Sequence, residues 1–382
     1  MIRFDCRHFR GAQPCVFNKL YGSECSCPHF SGYRDRILFI KLDAIGDVLR
    51  SASLLPAIKA RHDAPYIAWL TRKDSIELVG MMPHVDEPIA LSEENLIRVM
   101  AGDWHHVYSL SNDLTSASLA TIAATKCPPI GFYLKNGVIT PSNDAANSWL
   151  EMAAFDRVKR SNESSYQRIM LRIIGCPDEP VQPPSLQISD TSKRAAAARM
   201  MELFGEDRRP RVAINLGSGA RWPKKMLDAQ QIYRYARLLL EQEHVQIILV
   251  GGSAEAAKAT SILSLFNATD PVRAALTEGS LSDFVATLTQ VDVLLCGDTL
   301  ALHIATAIGL PTVAVFGPTS PAEIFDFDGL VIKNWASELD CLVCYADCDK
   351  EENCMSTLKL PILVGHTIAQ LKRSKCSDYA GS

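Results

Sequence analysis

The stretch RILFIKLDAIGD, residues 36–47, decides the fold class of this chain. Residues 36–42 form a short apolar and partly β-branched run, which is typical of a buried parallel strand. A turn with an acidic residue follows, and from Val48 to Ile58 apolar side chains recur on one face of a helix. A strand, a turn and a helix in this order predict a wound α/β sheet.

The same alternation extends outward from this stretch in two blocks. The first block predicts strands at residues 64–70 and 106–110 and a helix at 92–100. The second predicts helices at 190–204, 228–243, 254–265 and 299–308 and strands at 211–216, 246–250, 291–296 and 312–316. Four prolines within residues 176–184 can continue neither a helix nor a central strand, so we expect a hinge there.

Composition limits the class of protein. The chain has 382 residues, of which 47% are hydrophobic and 21% charged, with a net charge of −4. These values are those of a globular protein, and they exclude a disordered chain and give no support to nucleic-acid binding. No apolar run approaches the roughly 18 residues of a membrane helix, and the chain start lacks the apolar core of a signal peptide. We therefore expect a soluble, cytoplasmic protein.

Asp47 stands where a predicted strand has ended and a helix begins. Ligands of wound α/β sheets bind at the carboxyl ends of the strands, so a carboxylate here suits a general base facing a cleft. An acidic residue at a helix start is also the usual N-cap, and both interpretations apply to Asp47 and to Asp43.

Two further segments follow predicted strands. Residues 297–303, GDTLALH, open a helix whose free N–H groups suit a phosphate, with Asp298, Thr299 and His303 as polar candidates. Residues 215–225, NLGSGARWPKK, combine small residues with cations that could neutralise a diphosphate. Gly251 marks a similar turn. Helix capping, a structural histidine and plain tight turns are the alternatives for these three segments.

Two groups of four cysteines lie near the ends of the chain. In a reducing compartment such groups favour metal sites over disulfides. Cys341, Cys344, Cys348 and Cys354 have spacings that suit a tetrahedral zinc or iron ion, with free thiols as the alternative. Cys6, Cys15, Cys25 and Cys27 are irregularly spaced, and a second metal site, one site shared by both termini and a plain capping extension stay open for them.

Residues 37–56, 217–223 and the block from Gly297-Asp298-Thr299 through His303 to Phe316-Gly317-Pro318-Thr319 resemble glycosyltransferase family 9, the heptosyltransferases of lipopolysaccharide synthesis. The resemblance implies the α/β GT-B fold, with two Rossmann-like domains facing a central cleft. We assign a Cys-rich extension to residues 1–35, an acceptor domain to 36–178 and a nucleotide-sugar domain to 186–335. Residues 336–382 would form a Cys-rich segment and a C-terminal helix that returns to the first domain.

The resemblance also implies inverting transfer of a heptose-type sugar from ADP-heptose, without a metal at the reaction centre. Asp47 would deprotonate the acceptor hydroxyl. The residues implied to bind the nucleotide sugar are Asp298, Thr299, Leu300, His303, Gly217, Ser218, Arg221, Lys224 and Gly251. Many members carry a lysine where this chain has Ala220, so Arg221 or Lys224 would supply the phosphate cation, and Leu300 replaces a frequent glycine.

The acceptor expected from the resemblance is a lipopolysaccharide core or a related surface glycan. Contact with the inner membrane face and assembly into a homo-oligomer accompany this expectation. Some bacterial protein heptosyltransferases hold iron in a Cys-bound finger like residues 341–354, so a protein hydroxyl is the alternative acceptor. From another class, the chain could be a nucleotide-binding module that senses redox state through a Cys-held metal without catalysis.

Overall fold

The computed structural model describes residues 1–124, 126–217, 225–336, 338–346 and 348–380, with the side chains of 376–380 left out. They form two compact units. The first comprises Met1–Ala154 and Gln167–Gln182, and the second comprises Phe155–Tyr166 and the described residues from Pro183 onward. The predicted hinge at residues 176–184 contains the boundary between Gln182 and Pro183.

The first unit contains a six-stranded sheet in the order β3-β2-β1-β4-β5-β6. Its strands are β1 Arg36–Ile40, β2 Tyr66–Thr71, β3 Glu87–Ala90, β4 His106–Ser109, β5 Ile130–Lys135 and β6 Val138–Pro141. All pairs are parallel except β5 with β6. Asn136 and Gly137 both have positive φ and close this hairpin, as Asn-Gly turns do.

The second unit contains a fully parallel sheet in the order β12-β11-β10-β7-β8-β9. Its strands are β7 Arg211–Asn215, β8 Gln246–Gly252, β9 Val272–Thr277, β10 Val293–Gly297, β11 Thr312–Phe316 and β12 Val331–Trp335. In each sheet, the second and third strands in sequence lie on one side of the first strand, and the later strands lie on its other side. This order creates a switch point between β1 and β4 and another between β7 and β10.

Helices cover the sheets. Those preceding residue 155 are α1 Val16–Tyr21, α2 Ile45–Ser51, α3 Leu55–Arg61, α4 Ile76–Gly80, α5 Glu93–Ala101, α6 Leu114–Ala123 and α7 Asp144–Ala154. The others are α8 Asp156–Arg160, α9 Tyr166–Ile173, α10 Asp190–Phe204, α11 Ala229–Gln242, α12 Ala256–Leu263, α13 Leu281–Leu288, α14 Leu300–Ile308 and α15 Leu360–Ala380. Among the described residues, no helix is long and apolar enough to cross a membrane.

The helix expected from Val48 to Ile58 is in fact two. α2 ends at Ser51, a short 3-10 segment covers Ala52–Leu54, and α3 begins again with a proline in its first turn. Proline fits there because the first helical N–H groups have no partner within the helix.

The C-terminal helix α15 packs in the core of the second unit. Leu363, Val364 and Leu371 are buried there with side chains of β7, β10 and β11. Gln370 donates hydrogen bonds to three carbonyl oxygens around the ends of β11 and β12. The return of this helix to the first domain stays a prediction.

Candidate active site

The switch point of the first sheet carries a compact polar network. Lys41 follows β1 and is buried, and its Nζ donates to the carbonyl oxygen of Leu110 at 2.7 Å. The same ammonium lies 2.7 Å from Asp43 Oδ2, which also accepts from Ser111 Oγ at 2.5 Å. Because one carboxylate oxygen is held by a buried cation and a hydroxyl, Asp43 joins the ends of β1 and β4.

Asp47 lies in the first turn of α2, whose N-cap is Ala44. It is therefore not the N-cap that its sequence position suggested as an alternative. Its carboxylate forms an ion pair with Arg50 at 2.7 Å and stays about one-third exposed. Of the two carboxylates considered, Asp43 is bound by Lys41 and Ser111, whereas Asp47 is paired with Arg50.

The switch point of the second sheet lies at the start of α14. Thr299 is the N-cap, but its side chain makes no capping hydrogen bond with the described residues. Instead its Oγ1 accepts from Asn215 Nδ2 at 3.3 Å, while the same amide donates to the carbonyl oxygen of Gly217 at 2.8 Å. A hydroxyl that accepts from Asn215 can still donate its own proton, and it lies beside the first N–H groups of α14, which begin at Leu300.

A cation lies beside the acidic residue of this edge. Lys225 Nζ donates to the carbonyl oxygen of Asp298 at 3.2 Å and lies 3.5 Å from its Oδ2. The backbone of Lys225 passes so close to Gly297 that a Cβ there would lie 2.0 Å from the Lys225 carbonyl oxygen. Ser218, Arg221 and Lys224 lie outside the described residues, so their roles stay predictions.

Glu255 shapes the end of β8. Its Oε2 accepts from the Gly252 N–H at 2.9 Å, and its side chain lies against Gly217 and Gly251. Lys258 donates to the carbonyl oxygens of Leu216 and Leu227, and burial lowers the pKa of this lysine. The Glu255 side chain therefore fills the space beside Gly217 and Gly251 at this edge of the sheet.

His303 lies one turn into α14, on the face of Thr299, and is buried. Its carbonyl oxygen accepts from Thr306 Oγ1 at 2.8 Å. Contact of its ring with a nucleotide stays a prediction.

The C-terminal cysteine segment packs against the residues that directly follow β11. The backbone N–H groups of Val343 and Tyr345 donate to the carbonyl oxygens of Gly317 and Pro318 at 3.1 and 2.8 Å. Cys354 packs against Gly317 so closely that a Cβ there would lie 2.3 Å from its sulfur. Burial first, and then the neighbouring thiols of Cys344, Cys348 and Cys341, raise the pKa of Cys354.

The four cysteines therefore share one neighbourhood, although no three of their sulfur atoms lie within 4.8 Å of one another in the described part of the chain. All four are partly buried free thiols. The donor set is chemically that of a zinc or iron site.

The sequence analysis did not predict that Tyr345 lies near the switch point of the second sheet. Its hydroxyl donates to Glu323 Oε1 at 2.5 Å and accepts from the Ser320 N–H at 3.3 Å. Burial, with Glu323 next, raises its pKa, and Asp298 is near enough to add to the effect. Lys159 Nζ lies 4.2 Å from the centre of the ring. The sequence feature that could have identified Tyr345 was its position between Cys344 and Cys348.

Two sheets of Rossmann strand order, each with polar side chains at its switch point, are the α/β architecture of the GT-B fold. The chain belongs to glycosyltransferase family 9 (heptosyltransferase), whose family model matches residues 96–355. It is thus a glycosyltransferase, and the predicted fold class and family are confirmed.

The sequence comparisons agree with this family, and the structure comparisons agree with the fold. Lipopolysaccharide heptosyltransferase 2 of Escherichia coli (strain K12) is 24% identical over 310 residues, which cover 75% of this chain and 84% of that protein. The solved structure of E. coli ADP-heptose lps heptosyltransferase II has a TM-score of 0.66 at 18% identity, covering 89% of this chain and 99% of that one. Iron-containing dodecameric glycosyltransferase TibC from enterotoxigenic E. coli H10407 has a TM-score of 0.50 at 13% identity, covering 90% and 80%.

Proposed function

We propose that this enzyme transfers a heptose-type sugar from ADP-heptose to an acceptor hydroxyl with inversion at the anomeric carbon. The observation that carries the donor assignment is the Thr299 hydroxyl, which stands at a helix N-cap without capping it. The similarity to an ADP-heptose lipopolysaccharide heptosyltransferase supports the identity of the sugar nucleotide.

The donor diphosphate would bind at the start of α14. Backbone N–H groups at a helix N-terminus and the helix dipole favour an anion there. Thr299 would donate its hydroxyl proton to a phosphate oxygen, and Lys225 beside Asp298 would offset part of the negative charge. As the leaving diphosphate gains charge, these fixed donors stabilise it without rearrangement.

The acceptor would be activated by Asp47. Its carboxylate takes the acceptor proton while the acceptor oxygen forms a bond to the anomeric carbon, and the bond from that carbon to the diphosphate oxygen breaks to release ADP. Asp43 would act as a positioning residue, because Lys41 and Ser111 already hold its carboxylate.

The acceptor we propose is a lipopolysaccharide core or a related surface glycan. The similarity to lipopolysaccharide heptosyltransferase 2 supports it, and the reaction would take place in the cytoplasm at the inner membrane face. A protein hydroxyl is the second candidate, favoured by the cysteine segment and the likeness to iron-containing TibC. The dodecameric state of TibC supports assembly of this chain into a homo-oligomer.

We further propose that Cys341, Cys344, Cys348 and Cys354 hold a structural iron or zinc ion. Their shared neighbourhood and thiol chemistry support it, and the segment would close around the ion to bring the sulfur atoms together. The ion would fix the segment that carries Tyr345. Elemental analysis after anaerobic purification tests this: a metal content near zero would end the proposal, and Cys344→Ser should lower the content.

The transfer reaction is tested by ADP release from ADP-heptose with core oligosaccharide and polypeptide acceptors in parallel. Asp47→Asn should lower the transfer rate at least about 100-fold and leave ADP affinity unchanged. Asp43→Asn is the matched control, with the same loss of charge at the same sheet edge, and should retain measurable transfer. Transfer by Asp47→Asn within about threefold of wild type would contradict the role of this residue.

A further inference from the structure

A second group of metal-ligating side chains lies outside the site described above. Asp35, His62 and His106 each offer one ligand atom within 4.8 Å of the other two. We propose that these three residues bind a divalent transition-metal ion, with zinc as the representative case. The site belongs to the first unit and is separate from the cysteine segment of the second.

The topology brings the three residues together from distant parts of the sequence. In the register of β1 with β4, Ile37 pairs with His106. Asp35 precedes Ile37 by two residues and therefore lies on the same face of the sheet as His106, since side chains alternate along a strand. His62 is the C-cap that follows α3, and its ring centre lies 4.2 Å from that of His106.

The distances suit a shared ion better than a direct hydrogen bond. His62 Nδ1 lies 3.7 Å from Asp35 Oδ2, which is beyond hydrogen-bond length. Two ligand atoms on a tetrahedral zinc ion are about 3.4 Å apart, given metal–ligand bonds of about 2.0–2.2 Å. A movement of a few tenths of an ångström would therefore let both atoms contact one ion.

The other ring nitrogen of His62 is already held in place. His62 Nε2 lies 2.7 Å from the hydroxyl of Tyr108, which follows His106 by two residues in β4. Metal-binding histidines are generally oriented by such a bond on the second nitrogen, which leaves the first nitrogen directed at the ion.

The surroundings allow both access and charge balance. The Asp35 side chain is 26% exposed and that of His62 only 6%, so an ion would enter past the carboxylate. The nearby Arg61 donates to the carbonyl oxygen of Ile174 at 2.6 Å, and its charge opposes a positive charge at His62 and His106, which the Asp35 carboxylate has to offset. Asp63 forms an ion pair with Arg34, so the negative charge directed at the ion comes from Asp35.

The position predicts a structural role. All three residues lie at the amino ends of β1 and β4 or at the end of α3, whereas Asp47 follows the carboxyl end of β1. An ion here would connect α3 to the sheet at the edge opposite the acceptor site. Two imidazoles and one carboxylate suit zinc, with water as the fourth ligand.

The test uses the full-length protein, stripped with a chelator and reloaded with zinc alone. Bound zinc is counted by elemental analysis after desalting, and affinity is measured by competition with a chromophoric chelator. The variants are Asp35→Asn, which keeps an oxygen for the Asp63 N–H that now donates to Asp35, and His106→Asn. His105→Asn is the matched control, since His105 accepts from the Arg36 N–H and lies outside the group.

Wild type and His105→Asn should bind one zinc equivalent more than Asp35→Asn and His106→Asn. Tyr108→Phe should weaken zinc binding about 10- to 100-fold. Cobalt at this site should lack the sulfur-to-cobalt charge-transfer absorption of a thiolate site, which separates it from the cysteine segment. Circular dichroism and thermal melts in chelator confirm that the variants fold. Equal zinc content and affinity in folded Asp35→Asn, His106→Asn and wild type would overturn the proposal.

Discussion

Thr299→Val separates ligand binding from helix capping at the proposed donor site. The substitution keeps the shape of the side chain and its extended backbone, at φ −138° and ψ 175°, which suits a β-branched residue. It removes the hydroxyl that accepts from Asn215 at 3.3 Å, while Asn215 keeps its bond to the Gly217 carbonyl oxygen at 2.8 Å. Because no capping bond is lost, the free energy of unfolding should fall by less than about 1 kcal/mol.

The effect on ADP binding should be larger. A hydrogen bond from a hydroxyl to a charged phosphate contributes about 1.5–3 kcal/mol, so the Kd for ADP should rise about 10- to 150-fold. Calorimetric titration with ADP measures this, and urea denaturation without ligand measures stability. Ser189→Ala is the control, because Ser189 does cap α10 by accepting from the Ser192 N–H, and its loss should cost about 1 kcal/mol without changing ADP affinity. A Kd for Thr299→Val within twofold of wild type would refute the reasoning.

Three other substitutions test contacts at the two sheet edges. Gly297→Ala should lower the free energy of unfolding by at least about 1–3 kcal/mol in urea melts, because the new Cβ meets the Lys225 carbonyl oxygen; unchanged stability would contradict this backbone approach. Lys41→Met should cost about 3 kcal/mol by leaving Asp43 without its buried cation. Adding Asp43→Asn should recover part of that loss, and full additivity would show that the pair is not coupled. Tyr345→Phe removes the bond to Glu323 and should lower stability by about 1.5–3 kcal/mol; melts equal to wild type would exclude that bond.

The elements that sequence predicts well are those whose ends carry local signals. The helix Asp190–Phe204 matches its predicted bounds because Ser189 caps it and Gly205 ends it. The strand Thr312–Phe316 matches because it is a buried apolar run. The strands that were missed include the edges of both sheets, β3, β6, β9 and β12. Edge strands are partly exposed, so they lack the continuous apolar run that identifies a central strand.

The same distinction applies to the candidate site. The place of Asp298, Thr299 and Gly217 at one sheet edge can be predicted because each lies within two residues of the end of an apolar strand. Other contacts join residues that are far apart in the sequence. Lys41 and Asp43 contact residues that follow β4, and Tyr345 contacts Glu323. No local pattern encodes these pairs, since they depend on the order of the strands. Asp35, His62 and His106 were missed for the same reason.

The backbone around Cys344 links the proposed metal to the donor edge. Val343 and Tyr345 both have positive φ, 59° and 50°, which costs about 1–3 kcal/mol for each such residue without compensation. Their N–H groups are bonded to Gly317 and Pro318, and the Tyr345 hydroxyl to Glu323, so the surrounding contacts hold this conformation. An ion bound to Cys344 would further constrain this conformation, because Cys344 lies between Val343 and Tyr345. On the proposed function, loss of the metal would therefore act on donor binding through Tyr345 and the end of β11, and not through the reacting atoms.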